Sequence, residues 1–177
     1  MNPLYHVSEE PNIDRFEPRI PPAMSTAAAV PVVWAVADTH LSNYLLPREC
    51  PRVAFRADPG SSEWDRERFL GLASAAPVVA IEARWFEHAT NCILWLYEFA
   101  PKPFICADAT AGYFVSTEAV IPVSKRCIEH PLSELLASGA ELRIVPSLIG
   151  LAAAIASSTL AFSCIRMRNA GMRPNAA

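Results

Sequence analysis

The sequence predicts an α+β fold, a mixed and mostly antiparallel sheet flanked by helices. Two observations carry that expectation: strand-like runs outnumber helical segments, and the two types do not alternate as a doubly wound parallel sheet requires. At 177 residues the chain is long enough to bury a core without disulfides or metal. The expected organisation is a single domain over residues 1–168 with a frayed tail, "NAGMRPNAA", over 169–177.

In chain order, strands are predicted at "LYHVS" (4–8), "VVWAVA" (32–37), "RVAFRA" (52–57), "VVAIE" (78–82), "ILWLYEF" (93–99), "PFICA" (103–107), "GYFVS" (112–116) and "ELRIV" (141–145). All are rich in β-branched and aromatic residues. Helices are predicted at "THLSNYLL" (39–46) with Asp38 or Thr39 as N-cap, "SEWDRERFLGLAS" (62–74), "PLSELLAS" (131–138) closed by Gly139, and "SLIGLAAAIASS" (147–158). The Pro-bounded, Ala-rich stretch "PPAMSTAAAVP" (21–31) reads as a mobile loop.

A net charge of −3 gives no basic excess, so neither duplex nucleic acid nor an anionic membrane is the expected partner. The five cysteines have no C-x-x-C pair and an odd count, which argues for reduced, structural thiols, no metal site and a cytoplasmic location. The start of the chain has no basic segment followed by an apolar one, so no secretory signal is expected. An uncharged run of 22 residues, Ile144 to Ile165, has the length of a membrane span. Its hydroxyls, Pro146 and many alanines favour a strand followed by a buried helix, Leu148 to Phe162, in a soluble domain.

Chemistry is expected first at His6. Strand alternation places Leu4, His6 and Ser8 on one face, so an imidazole and a hydroxyl point together from a rigid element. The bland alternative is a histidine bonded to a backbone group beneath a loop. In "THLSNYLLPRECPRV" a helix would carry His40 and Tyr44 on one face, and Arg48 and Arg52 in the Pro-stiffened loop would grip phosphate or carboxylate in bidentate fashion. The alternative there is ion pairing with the acids near the start of the chain. Glu98, Asp108, Glu118 and Glu141 stand at strand ends, where partial desolvation suits a carboxylate to acid/base work; Glu118 and Glu141 stand out because each opens a β segment. No Gly-rich phosphate loop, H-E-x-x-H or G-x-S-x-G motif occurs.

The blocks "LYHVSEEPNIDRFEPR", "VVWAVADTHLSNYLLPRECPRV", "ADATAGYFVSTEAVIP" and "ELRIVPSL…SSTLAFSCIRMRNA" resemble an uncharacterised family of small bacterial proteins over most of the chain. A further likeness is to the ADP-ribosyltransferase fold. That resemblance implies NAD as the candidate substrate, with His6 holding the nicotinamide ribose, Tyr44 stacking on nicotinamide, and Glu118 or Glu141 polarising the ribose. The sequence departs from the pattern at Ala111, Gly112 and Tyr113, where the acid of that fold would be expected.

Three functions stay open. One is an NAD- or nucleotide-binding domain with transferase-like chemistry, with Ser8, His40, Arg48 and Arg52 around an anionic ligand. The second is a non-catalytic domain for a small ligand or protein. The third is another hydrolase or transferase that uses His6 with a strand-end carboxylate.

Overall fold

A computed structural model describes residues 2–20, 30–71 and 76–174. Among these, the strands are β1 (Leu4–Ser8), β2 (Val33–Ala37), β3 (Arg52–Arg56), β4 (Val78–Glu82), β5 (Leu94–Phe99), β6 (Ile105–Asp108), β7 (Tyr113–Ser116), β8 (Ser124–Ile128), β9 (Glu141–Val145) and β10 (Ala161–Ile165). The helices are α1 (Glu63–Leu70), α2 (Phe86–Asn91), α3 (Pro131–Ala137) and α4 (Ile149–Ala156), with 3-10 turns at Asp38–Tyr44, Ala83–Trp85 and Met167–Asn169. The strands form two sheets, both mostly antiparallel, which makes the protein α+β as its sequence predicts.

Contacts divide the chain into two compact units, Met1–Leu41 with Leu94–Ile128, and Ser42–Ile93 with Glu129–Ala177. The first unit holds the six-stranded sheet, in the order β6-β7-β2-β1-β5-β8, antiparallel throughout. Residue pairing sets its faces: Leu4 lies opposite Phe99 and His6 opposite Tyr97, so these share one side with Val33 and Ala35. Phe16 lies over that side and touches Tyr97 and Phe99 edge-on at ring distances of 5.1 and 5.0 Å. With Phe104 and Val120 these residues make the unit's core. The six-residue β5 adds Trp95, Tyr97 and Phe99 to that core from its place between β1 and β8.

The second unit holds the four-stranded sheet, order β10-β3-β4-β9, in which only β4 and β9 run parallel. β4 is buried at all five positions, which explains why "VVAIE" has no polar alternation before its final glutamate. Its core joins Val53, Phe55, Val78 and Ala80 to Phe69 and Leu70 of α1, to Leu148 and Ile155 around α4, and to Leu160. Ser62 caps α1: its hydroxyl accepts from the Asp65 amide at 3.2 Å and donates to the Asp65 carboxylate at 2.9 Å. Gly139 ends α3 at φ +84°, the left-handed conformation a glycine adopts without a Cβ clash.

Four sequence expectations need correction. The apolar run after Pro146 is not one buried helix from Leu148 to Phe162. α4 ends at Ala156, and the hydroxyls of Ser157 and Ser158 bond back to the carbonyls of Ala153 and Ile155 at 3.0 and 2.7 Å. The serines thereby satisfy the last carbonyls and turn the chain into the unexpected strand β10. Much of α4 is exposed, with only Ile155 of its residues buried. No helix among the described residues is long and apolar enough to cross a membrane. The segment 39–46 is a 3-10 turn, Asp38–Tyr44, with three residues per turn, so the four-residue spacing of His40 and Tyr44 loses its α-helical meaning. β8, "SKRCI", went unread because an exposed edge strand keeps its charges. The thiols are free, but Cys106, Cys127 and Cys164 are exposed edge-strand groups rather than structural fillers, and only Cys50 is buried.

The expected loop at 21–31 lies, over 21–29, outside the described residues, as do 72–74 of the second predicted helix. Of the tail, 175–177 lie outside them too, while Gly171 donates its amide to Glu82 at 2.8 Å and Met172 accepts from the Trp85 indole at 3.1 Å.

Candidate functional site

His6 stands on β1, half-buried, with its ring 4.9 Å from that of Phe16. Its Nδ1 lies 3.0 Å from the Trp34 carbonyl on the neighbouring strand. A carbonyl only accepts, so Nδ1 carries the proton, and the neutral ring then has its basic lone pair on Nε2. Ser8 shares the face, and its hydroxyl accepts the Glu10 amide at 3.1 Å, shaping the turn out of the strand.

His40 is bonded at both ring nitrogens. Nε2 donates to the Thr110 carbonyl at 3.0 Å, and Nδ1 meets the Thr39 hydroxyl at 3.0 Å. The backbone passes His40 at Gly112, φ +66°, where an added Cβ would overlap the imidazole ring. His40 therefore buttresses the loop before β7, and Gly112 gives it room. Asp108, the last residue of β6, shapes the same loop: its Oδ1 accepts the amides of Thr110 and Ala111 at 2.9 and 3.0 Å, an Asx-type turn.

Glu98 accepts from Ser124 Oγ at 3.0 Å across the β5–β8 pair. It lies opposite Tyr5, on the face away from His6. Burial, then the carboxylates of Glu98 and Asp38, push the Tyr5 phenol up, with Arg126 opposing. Sequence reading passed over this tyrosine because it alternates with the histidine. Glu118 is exposed, its amide bonded to Ser116 Oγ at 3.1 Å. Glu141 is engaged by Arg143, whose Nε and Nη2 donate to Oε1 at 3.0 and 2.8 Å.

Tyr44 and the "PRECPR" loop belong to the second unit. Arg52, the first residue of β3, is buried, and its Nη1 donates to the carbonyls of Pro47 and Cys50 at 2.8 and 3.0 Å. Its guanidinium also lies 5.8 Å from the Tyr44 ring centre. Arg52 thus ties the loop into shape, and the exposed Arg48 rides on it. Next to Tyr44, the Oδ1 of buried Asn43 has no hydrogen-bond partner among the described residues. Burial pushes the Cys50 thiol up to about 12, Arg52 opposing, which makes it inert as a nucleophile.

The loop meets residues that sequence reading used only as flanks of an apolar run. Asn169 Nδ2 donates to the Glu49 carbonyl at 2.7 Å and to its carboxylate at 2.9 Å. Arg168 donates to the same carboxylate at 3.3 Å, and Arg166 Nε lies 3.8 Å from it. The Asn169 bond, with the two arginines, holds the Glu49 carboxyl below its ordinary range against the effect of burial. Arg166 sits at φ +54°, a left-handed conformation that costs a residue with a Cβ about 1–2 kcal/mol. The only sequence signal was the closely spaced pair in "IRMRN".

Of the expected site residues, His6, Ser8, His40 and Glu118 belong to the first unit, and Tyr44, Arg48, Arg52 and Glu141 to the second. Among the described residues no group of three or more His, Cys, Asp or Glu is arranged to hold a metal ion.

These elements define an α+β protein with an oriented strand histidine in one unit and a braced basic loop in the other. The chain belongs to the Family of unknown function (DUF6886), which matches residues 5–170. No curated protein matches it, and no solved structure does.

Proposed function

We propose that the protein binds NAD or another anionic, nucleotide-like ligand, with His6 as the leading contact and chemistry of the ADP-ribosyltransferase type. One observation carries the reading: the Nδ1–H bond from His6 to the Trp34 carbonyl, 3.0 Å, orients the ring on a strand and assigns the basic lone pair to Nε2, an acceptor suited to a ribose hydroxyl. Tyr44, the stacking residue that the resemblance assigns, belongs to the other unit and is not part of this reading. Glu118 is the better candidate acid, since Glu141 is committed to Arg143. Without a competent acid the same groups serve a binding domain, and the exposure of Glu118 favours that second reading.

The test is ligand-dependent thermal stabilisation with NAD, ADP-ribose and mononucleotides. A ligand at 100 times its Kd stabilises by about 2.7 kcal/mol. His6→Asn keeps a donor near the Trp34 carbonyl and removes the Nε2 acceptor. The expected result is a parental melting temperature with the ligand response lost. A variant that responds like its parent, or a parent that answers none of these ligands, sinks the reading.

A further inference from the structure

The loop Pro47–Pro51 is braced before any ligand arrives. The Cys50 amide donates to the Pro47 carbonyl at 3.0 Å, Arg52 holds the carbonyls of Pro47 and Cys50, and Asn169 clamps the backbone of Glu49. This bracing brings the basic turn at Arg166–Arg168 to the loop that carries Arg48. The result is unusual for a chain whose net charge is −3: two guanidiniums, Arg166 and Arg168, meet the carboxylate of Glu49, and Arg48 adjoins that acid in the chain. The like charges are felt, since burial first and then Arg48 and Arg168 lower the Arg166 pKa, while Glu49 raises it. Fully structural arginines have less reason to be left half in water. Yet the Arg168 side chain is 60% exposed, and Arg48 is exposed as well. Arg166 is the inner member, its side chain 19% exposed and its backbone held left-handed.

We propose that Arg48, Arg166 and Arg168 form a binding site for a phosphate-type dianion, with Glu49 as an internal counter-ion that the ligand displaces from the guanidiniums. Three positive charges against one negative leave an excess of two, which matches a phosphate monoester of about −1.5 to −2 at neutral pH. A phosphodiester carries a single charge and should bind less well. The planar, multi-donor guanidinium gives such an anion paired charge-assisted bonds, which an ammonium cannot. Arg52 is not a ligand in this site but a positioning residue, because it is buried and its Nη1 holds the loop's own carbonyls. The proposal goes beyond the nucleotide reading and rests on none of its residues apart from Arg48. Free phosphate and the terminal phosphate of a mononucleotide share the chemistry, and the experiment separates them.

The experiment is calorimetric titration of the full chain with inorganic phosphate, AMP and NAD, each against chloride at equal ionic strength. In the His6→Asn chain, phosphate and AMP should bind and NAD should bind more weakly; AMP tighter than phosphate there would assign the site to a mononucleotide, and equal affinity to the phosphate group alone. Arg168→Gln and Arg48→Gln, both at exposed positions, should each weaken phosphate roughly tenfold at an unchanged melting temperature. Glu49→Gln should instead tighten it, since the amide keeps the shape and drops the competing charge. A site that exists only to satisfy Glu49 gives the opposite pattern: no phosphate heat beyond chloride, and no gain in Glu49→Gln. Either of those two results overturns the proposal. His6→Asn separates it from the nucleotide reading, because that variant should keep full phosphate affinity whether or not NAD binding survives.

Discussion

The two units solve the same problem with different side chains. The six-stranded unit closes its core with rings: Phe16 meets Tyr97, Phe99 and His6, and Phe99 stacks on Phe104 at 5.4 Å. Its buried polar tip, the Tyr97 hydroxyl, donates to the Glu10 carbonyl at 2.7 Å and so pins the segment that lies over the sheet. The four-stranded unit uses carboxylates as anchors. Glu82, with no exposed surface, accepts the amides of Leu148 and Gly171 at 3.2 and 2.8 Å and pairs with Arg84. Asp65 likewise accepts the amide and hydroxyl of Thr159 at 2.9 and 2.7 Å. Aromatic closure needs only area and shape, whereas a buried acid is tolerated because it satisfies backbone donors that no sheet or helix reaches. Polar residues in the second unit are therefore committed to architecture more often than a sequence suggests.

Substitutions at three positions sharpen that contrast. Phe99→Ala should be the most damaging, about 3–5 kcal/mol, because it empties the centre of the ring cluster; urea unfolding would show a lower midpoint. A loss under about 1 kcal/mol would mean that the rings are not the closure.

Glu82→Ala should cost about 3 kcal/mol by leaving two amides without an acceptor, and Glu82→Gln should cost less, since it keeps one carbonyl oxygen. If the two variants melt together, the carboxylate is not anchoring both the start of α4 and the turn at Gly171.

The smallest effect should be pH-dependent. The Thr159 side-chain and backbone bonds, with Ser62, hold the Asp65 carboxyl below its usual value, burial opposing. A depressed folded-state pKa gives stability that is present above the unfolded value, about 3.9, and is lost as pH falls through the lower folded value. Melting temperatures between about pH 5 and 2.5 should therefore fall less steeply for Asp65→Asn than for the parent. Parallel curves would show that acid sensitivity lies elsewhere, for instance in Glu49.

Much of the architecture was legible residue by residue. "LYHVS", "VVAIE" and "ELRIV" are strands with the boundaries read from composition, because β-branched runs between turn residues have few other uses. Gly139 marked the end of α3 by local chemistry alone. β8 and β10 were not legible: the first is charged as an exposed edge should be, and the second is hidden in an apolar run whose direction is reversed by serine hydroxyls. Of the candidate residues, the placing of His6 and Ser8 on one strand face followed from alternation, and the bracing of the "PRECPR" loop followed from nothing in its own spacing.

What the sequence determined by itself was everything set by neighbours within a few positions: fold class, most strands, the faces of β1, and the candidacy of His6 and the arginines. Only the tertiary structure decided which nitrogen of His6 carries its proton, since that depends on a carbonyl 28 residues away. Only it divided ten strands among the described residues into two sheets, and only it brought Glu49 to Arg166 and Arg168, about 120 positions along the chain. Local propensity fixes what a segment is. Its partners are chosen by burial and by the need of each buried donor and acceptor for a mate, and those choices are made across distances that no sequence window spans.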